Sequence, residues 1–199
     1  MSSSAAIKSP DALSESQKAA LVNLLGDDDP AIYQLVRDKI LSCGDAATEW
    51  LRPHTLSSEP ALRRRAQEIV QHFARRAADD RFLAFCLTEG NDLNLEQGAW
   101  LLAQTQYPDI NPDAYQALFD SYAGELRERV DSRADADTLL GAFNQYVFDV
   151  LRFKGNEQNY YDPENSYLNR VVDRRLGNPI NLSLVYLLLA RRLKLPVTG

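Results

Sequence analysis

The sequence has few of the residues that build metal sites and covalent frameworks. Its 199 residues include two cysteines, Cys43 and Cys86, and two histidines, His54 and His72. Each cysteine sits in an apolar helical pattern with no CxxC or metal-ligand spacing, which suits reduced thiols in a cytosol and excludes a disulfide scaffold. Two histidines are too few for a multi-histidine zinc site, and the reading assigns no metal and no cofactor. A basic excess is also missing. Lys+Arg 22 against Asp+Glu 28 gives a formal net charge of -6, which argues against a bulk binder of nucleic acid or anionic membrane and leaves room only for a local basic patch. No apolar run approaches the ~20 residues of a bilayer span, and the opening MSSSAAIKSP has no apolar segment of the secretory type. A cytoplasmic protein is expected. Glycine and proline number nine each and fall at boundaries, so the pattern between them is informative. What is present in quantity is apolar side chain, 45% of the total, enough to fill the core of one large or two small domains.

The apolar residues recur at helical spacing throughout. Ser14 and Gln17 have capping-box spacing, and Leu21, Leu24 and Leu25 form a stripe that ends at Gly26. Asp29-Pro30 supplies an N-cap and a first-turn proline for a helix carrying Ile32, Leu35, Val36, Ile40 and Cys43 up to Gly44. A third helix with Ala46, Ala47, Trp50 and Leu51 breaks near Pro53, where proline lacks the amide donor. Glu59-Pro60-Ala61-Leu62 then echoes Asp29-Pro30-Ala31-Ile32, with Leu62, Ala66, Ile69, Val70 and Phe73 as its stripe and Phe82, Phe85 and Leu87 beyond. Acidic-Pro-Ala-aliphatic, an amphipathic helix, a glycine turn and a second helix together resemble a degenerate HEAT-type repeat. An ordinary irregular bundle with proline at its helix starts reads equally well.

Asn91, Asp92 and Asn94 mark a break, placing a subdomain limit near residue 90; Asn94 with Gln97 caps a helix through Trp100, Leu101 and Leu102. Asn111-Pro112 opens the cleanest stripe in the chain, Tyr115, Leu118, Phe119, Tyr122, Leu126 and Val130. After an acidic link from Asp131 to Asp137, a helix with Leu139, Leu140, Phe143, Val147 and Leu151 closes at Gly155.

From Phe153 to Val197 the texture changes. Asp162-Pro163 favours a turn, Asn165 or Ser166 can cap a helix bearing Tyr167, Leu168, Val171, Val172 and Leu176, and Gly177 supplies a left-handed end. Asn178-Pro179 begins a helix with Leu182, Leu184, Val185, Tyr186, Leu187, Leu188 and Leu189, apolar on nearly all sides and so expected to be a central buried element. The run GNEQNYYDPENSYLN, followed by Gly177-Asn178-Pro179-Ile180 and ending Ala190-Arg191-Arg192-Leu193-Lys194-Leu195-Pro196, resembles the transglutaminase-like core family that includes the SirB-type bacterial proteins. The resemblance covers residues 155–196 without a gap and extends to the helices from about 93 to 151. Residues before about 90 are not explained by it; taken with the HEAT-type resemblance there, the expected fold is all-α, an irregular array of HEAT-like helix pairs followed by the helical part of a transglutaminase-like domain, with the β-sheet part absent. The corresponding division is a disordered tail over 1–12, a HEAT-like subdomain over 13–90 and the transglutaminase-like part over 91–199.

The resemblance also implies where chemistry should sit. In such folds a cysteine nucleophile occupies the amino end of the central helix, where free amides and the helix dipole lower a thiol pKa. Asn178 to Ser183 contain no cysteine. A serine hydroxyl there needs a hydrogen-bonded general base, and the family's histidine strand and downstream aspartate have no counterpart in this chain. No catalytic residue is assigned. The expected function is non-catalytic binding of a protein or peptide; the alternative is a piece of a hydrolase or acyl-transferase using Ser183 or another nucleophile. The candidate contact residues are Asn156, Tyr160, Tyr161, Asp162, Asn165, Asn178, Asn181 and Ser183. Tyrosine faces and amides could hold a peptide or small polar ligand, whereas the plainer reading is that these residues cap turns and lock a loop. Arginines cluster at 63–65, 75, 76 and 81 and again at 170, 174, 175, 191 and 192, but interleaved carboxylates argue against nucleic acid as a partner. Leu195-Pro196-Val197-Thr198-Gly199 fits a sorting pattern without its usual apolar stretch and basic tail, so truncation is the simpler reading. A homodimer through the apolar surface left by the missing sheet is one expected consequence.

Overall fold

The computed structural model describes residues 13–87, 94–129 and 134–198. The tail over 1–12, Asn91, Asp92, Val130, residues 131–133 of the acidic link, the limit at residue 90 and Gly199 lie outside the described residues. The fold is mostly all-α, as its helical periodicity requires. The chain divides into two compact units, one ending at Ala77 and the other beginning at Ala78.

In the first unit α1 (Glu15–Leu25) opens on a complete capping box: the Ser14 hydroxyl accepts from the Gln17 amide and the Gln17 side chain accepts from the Ser14 amide at 2.8 Å. α2 (Pro30–Ser42) starts where the Asp29 carboxylate accepts from the Ala31 amide at 2.8 Å, and its turn out uses Gly44 at φ +68°, a conformation that favours glycine. α3 (Ala46–Leu51) passes into a 3-10 turn over Arg52–Leu56, where Pro53 stops the helix. Leu25, Ile40, Ala47, Leu51, Ala66 and Ile69 form the buried centre of this unit. α4 (Pro60–Cys86) is one unbroken helix of 27 residues.

The second unit contains the end of α4, α5 (Leu95–Gln106), α6 (Pro112–Arg129), α7 (Ala136–Asn144), α8 (Leu168–Arg174) and α9 (Pro179–Arg192). The Asn94 side chain accepts from the Gln97 amide as its spacing predicts. Tyr122, Phe119 and Leu126 of the α6 stripe bury against Trp100, Phe143 and Leu188. Four expectations need correction. α7 continues as a π-helical turn over Gln145–Val150 and ends at a left-handed Arg152, so Gly155 does not close it. Instead Lys154–Gly155 (β1) pairs in parallel with Leu176–Gly177 (β2), the only strands among the described residues. Tyr167, not Asn165 or Ser166, stands at the start of α8, without a side-chain cap. The left-handed residue that ends α8 is Arg175 at φ 59°; Gly177 is needed for space, since a Cβ there would lie 2.9 Å from Val171 Cγ1.

α9 is buried along one side only. Val185, Leu188 and Leu189 are in the core, but Ile180 is 78% exposed and Ser183 is exposed. The left-handed Lys194 then completes a Schellman turn, its amide donating to Arg191 O and the Leu195 amide to Ala190 O, both at 3.0 Å.

Candidate functional site

The eight candidate residues separate by burial once the loop between β1 and α8 is folded. Asn165 is 1% exposed and Asn156 is buried beside it. Asn156 Nδ2 donates to Asn165 Oδ1 at 3.0 Å, and Asn165 Nδ2 donates to the carbonyls of Asn159 and Tyr160 at 2.9 and 3.0 Å. Asn156 Oδ1 accepts from the Asn159 amide. A buried amide has to satisfy its donors and acceptor, and here they close on the loop, with Arg174 Nη2 of α8 also donating to Asn165 Oδ1 at 3.4 Å. The two tyrosines carried by that loop point the other way: Tyr161 is 90% exposed and Tyr160 56%, with their rings edge-on and centroids 5.2 Å apart.

Asp162 caps the 3-10 turn Pro163–Ser166 by accepting from the Glu164 amide, and its other oxygen lies 2.9 Å from Arg174. Glu164 accepts from Arg170 Nε at 3.1 Å, from Arg174 and from the Tyr107 hydroxyl. The Arg170 guanidinium holds the Glu164 carboxyl below the ordinary carboxylate range, Arg174 and Tyr107 adding to it, and Arg170 is raised in turn by Glu164. Arg192 is bound by Glu96 at 2.8 Å and Asp120 at 2.6 Å. Three arginines of the second basic group are thus engaged by carboxylates.

At the start of α9 the Asn178 side chain accepts from the Asn181 amide at 2.8 Å, the N-cap its position predicts, while its Nδ2 donates to Ser166 Oγ at 3.2 Å. Buried Asn181 donates back to Asn178 Oδ1. Ser183 stands in the next turn, and its hydroxyl makes no hydrogen bond among the described residues. It lines an apolar depression of about 420 Å³ with Phe148, Pro179, Leu182, Tyr186, Leu187 and Val197. Phe148 stacks on Tyr186 at 6.3 Å, and the Tyr186 hydroxyl donates to Asn144 Oδ1 at 2.9 Å.

This arrangement is a helix start capped by asparagine, fed by a parallel two-residue pairing and joined to the tyrosine loop through Asn165 and Ser166. Residues 113–199 match the transglutaminase-like superfamily model. The matched stretch lies within the span over which the sequence resembles that family. A UPF0162 protein of Xylella fastidiosa is 43% identical over 107 residues, 54% of this chain and 38% of that protein. F-box only protein 21 of Mus musculus is 46% identical over 59 residues, 30% of this chain and 9% of that one. A UPF0162 protein of Vibrio cholerae is 23% identical over 117 residues, 59% of this chain and 43% of that one. The chain therefore spans about two fifths of the length of the bacterial relatives it matches. No solved structure matches it.

Outside the transglutaminase-like segment lie both histidines, His54 in the 3-10 turn after α3 and His72 in α4, and both cysteines, at the ends of α2 and α4. Among the described residues no three His, Cys, Asp or Glu side chains are grouped to hold a metal ion, and no helix is long and apolar enough to cross a membrane. Sequence reasoning missed Arg175, Tyr122 and Phe153, which form the bed under this site. Their signal is weak: Arg174-Arg175 reads as ordinary surface charge, and the aromatic residues as core.

Proposed function

We propose that this chain is a non-catalytic, cytoplasmic protein- or peptide-binding helical module, SirB-type in its transglutaminase-like segment and HEAT-like before it, with no cofactor. The observation that carries the reading is the display of Tyr160 and Tyr161. Large aromatic side chains exposed on a loop pinned by buried amides lose little conformational freedom on binding, and tyrosine is enriched at interface hot spots. Asn156 and Asn165 serve this reading by holding the loop, Asp162 by fixing its exit, and Asn178 and Asn181 by fixing the start of α9. Ser183 and its apolar depression give a second contact, open to a partner or to a second copy of the chain.

A photoreactive residue placed at position 161 in the natural host is expected to give a discrete cross-linked protein adduct, which the same probe at exposed Leu35 of α2 does not give. Tyr160→Ala with Tyr161→Ala should lower affinity for that partner at least about tenfold, about 1.4 kcal/mol or more. Absence of any position-161 adduct would overturn the reading. So would an acyl-transfer or hydrolytic activity abolished by Ser183→Ala, which would favour the enzyme alternative.

A further inference from the structure

The turn that ends α8 is held by a side chain where a glycine would be ordinary. Arg175 sits at φ 59° and ψ 20°, a region in which a residue with a Cβ is strained by about 1 kcal/mol or more. Its guanidinium lies against two rings, with Cζ 5.1 Å from the Tyr122 centroid and 4.7 Å from that of Phe153, and Nη2 donates to the Tyr122 hydroxyl. Among the described residues no carboxylate reaches it, and Nη1 is buried without an acceptor. The cation is therefore retained by aromatic faces, which attract a desolvated guanidinium without neutralising it.

The main chain of the same residue sets the pairing beneath the tyrosine loop. The Arg175 carbonyl accepts from the Lys154 amide at 3.0 Å, so one residue grips Phe153 by its side chain and Lys154 by its backbone. That grip fixes the register of Lys154–Gly155 on Leu176–Gly177, and the Gly177 carbonyl then accepts from the Asn156 amide at 3.2 Å. Asn156 holds Asn165, and Asn165 holds the Tyr160 carbonyl.

We propose that Arg175 is a positioning residue, a latch whose stacked guanidinium keeps β1 and β2 in register and so fixes the direction in which Tyr160 and Tyr161 are displayed. The proposal rests on the reading of that loop as the contact surface, and it is tested without a partner. Hydrogen exchange is followed residue by residue in the 199-residue chain and in Arg175→Gly, which keeps the left-handed turn at no steric cost and removes the stacked side chain. The amides of Asn159, Asp162 and Asn165 are expected to exchange about tenfold faster or more, while those of Val185 to Ala190 in α9 keep their protection. Arg175→Lys should fail to rescue, because an ammonium cannot lie flat between two rings.

Unchanged exchange at the loop in Arg175→Gly would overturn the proposal, since the turn alone would then suffice. An equal acceleration in the loop and in α9 would also overturn it, because the side chain would then set only the stability of the unit. If Arg175→Gly does not fold, Tyr122→Phe keeps the ring and removes the acceptor. Loop exchange a few-fold faster with α9 unaffected is then the supporting result, and unchanged exchange the overturning one. Failure of the cross-link at position 161 would remove the functional reading and leave these exchange outcomes standing.

Discussion

Both units of this molecule cap helix starts with nearby side chains, but they differ in what occupies their left-handed positions. In the unit up to Ala77 the Ser14–Gln17 box and the Asp29 cap with Pro30 behind it start helices, and the left-handed residue is Gly44. In the unit from Ala78 onward, the left-handed positions are occupied by Arg152, Arg175 and Lys194. Every buried polar side chain among the described residues, Asn156, Asn165, Asn169 and Asn181, is there too. Local caps cost nothing in strain and specify little beyond one helix. Bulky left-handed residues and buried amides carry a cost of their own and persist only where surrounding contacts over-determine them. That cost is concentrated around the tyrosine loop.

This contrast can be broken by mutation. Asn165→Ala should have the largest effect, a loss of about 3 kcal/mol, because it leaves the Asn156 amide and two carbonyls without partners in a buried place. The measurement is the denaturant midpoint of the second unit, and a loss under about 0.5 kcal/mol would show the asparagine web to be replaceable by solvent. In the first unit Asp29→Ala removes only a cap and is expected to cost about 1 kcal/mol in the same experiment. The contrast fails if the cap proves the costlier loss. The smallest change runs in the opposite direction: Lys194→Gly should raise stability by up to about 1 kcal/mol, seen as a higher Tm, since the Schellman bonds remain and the Cβ strain goes. A lowered Tm would mean that the lysine side chain contributes more than its backbone costs.

The same contrast explains what could be read in advance. The capping box, the Asn94 and Asn178 caps and the α6 stripe of Tyr115, Phe119, Tyr122 and Leu126 were legible because each depends on residues within a few positions. The β1–β2 pairing was not, because two residues on each strand carry no alternation and their partners lie about twenty positions apart. Gly177 was legible as a special position for the wrong reason; its constraint is the side chain of Val171, not a backbone angle. The candidate site was legible as a polar-aromatic cluster between Asn156 and Ser183. Its division into buried asparagines and exposed tyrosines was not, since Asn156 and Tyr160 are both ordinary loop residues until the fold decides which faces inward. Tyr115 makes the same point at the edge of the core: burial, and then its hydrogen bond to Asp173, raise its pKa to about 12, a property no stripe of apolar spacing announces.

The π-helical turn at Gln145–Val150 has a consequence for insertions and deletions. A π turn is an α-helix with one residue too many, and here its wide ring closes where the Leu151 amide reaches back to Tyr146 O at 2.8 Å. Removing one residue from it would let the segment wind as ordinary α-helix, and because the wide turn is where the extra residue is absorbed, the chain beyond would keep nearly its present direction. A further inserted residue that kept α winding would instead turn the downstream chain by about 100°, putting the Arg152 turn and the entry into β1 out of phase with the side chains they now meet. This segment should therefore tolerate the loss of one residue better than the gain of one, provided that buried Tyr146 and Val147 are kept.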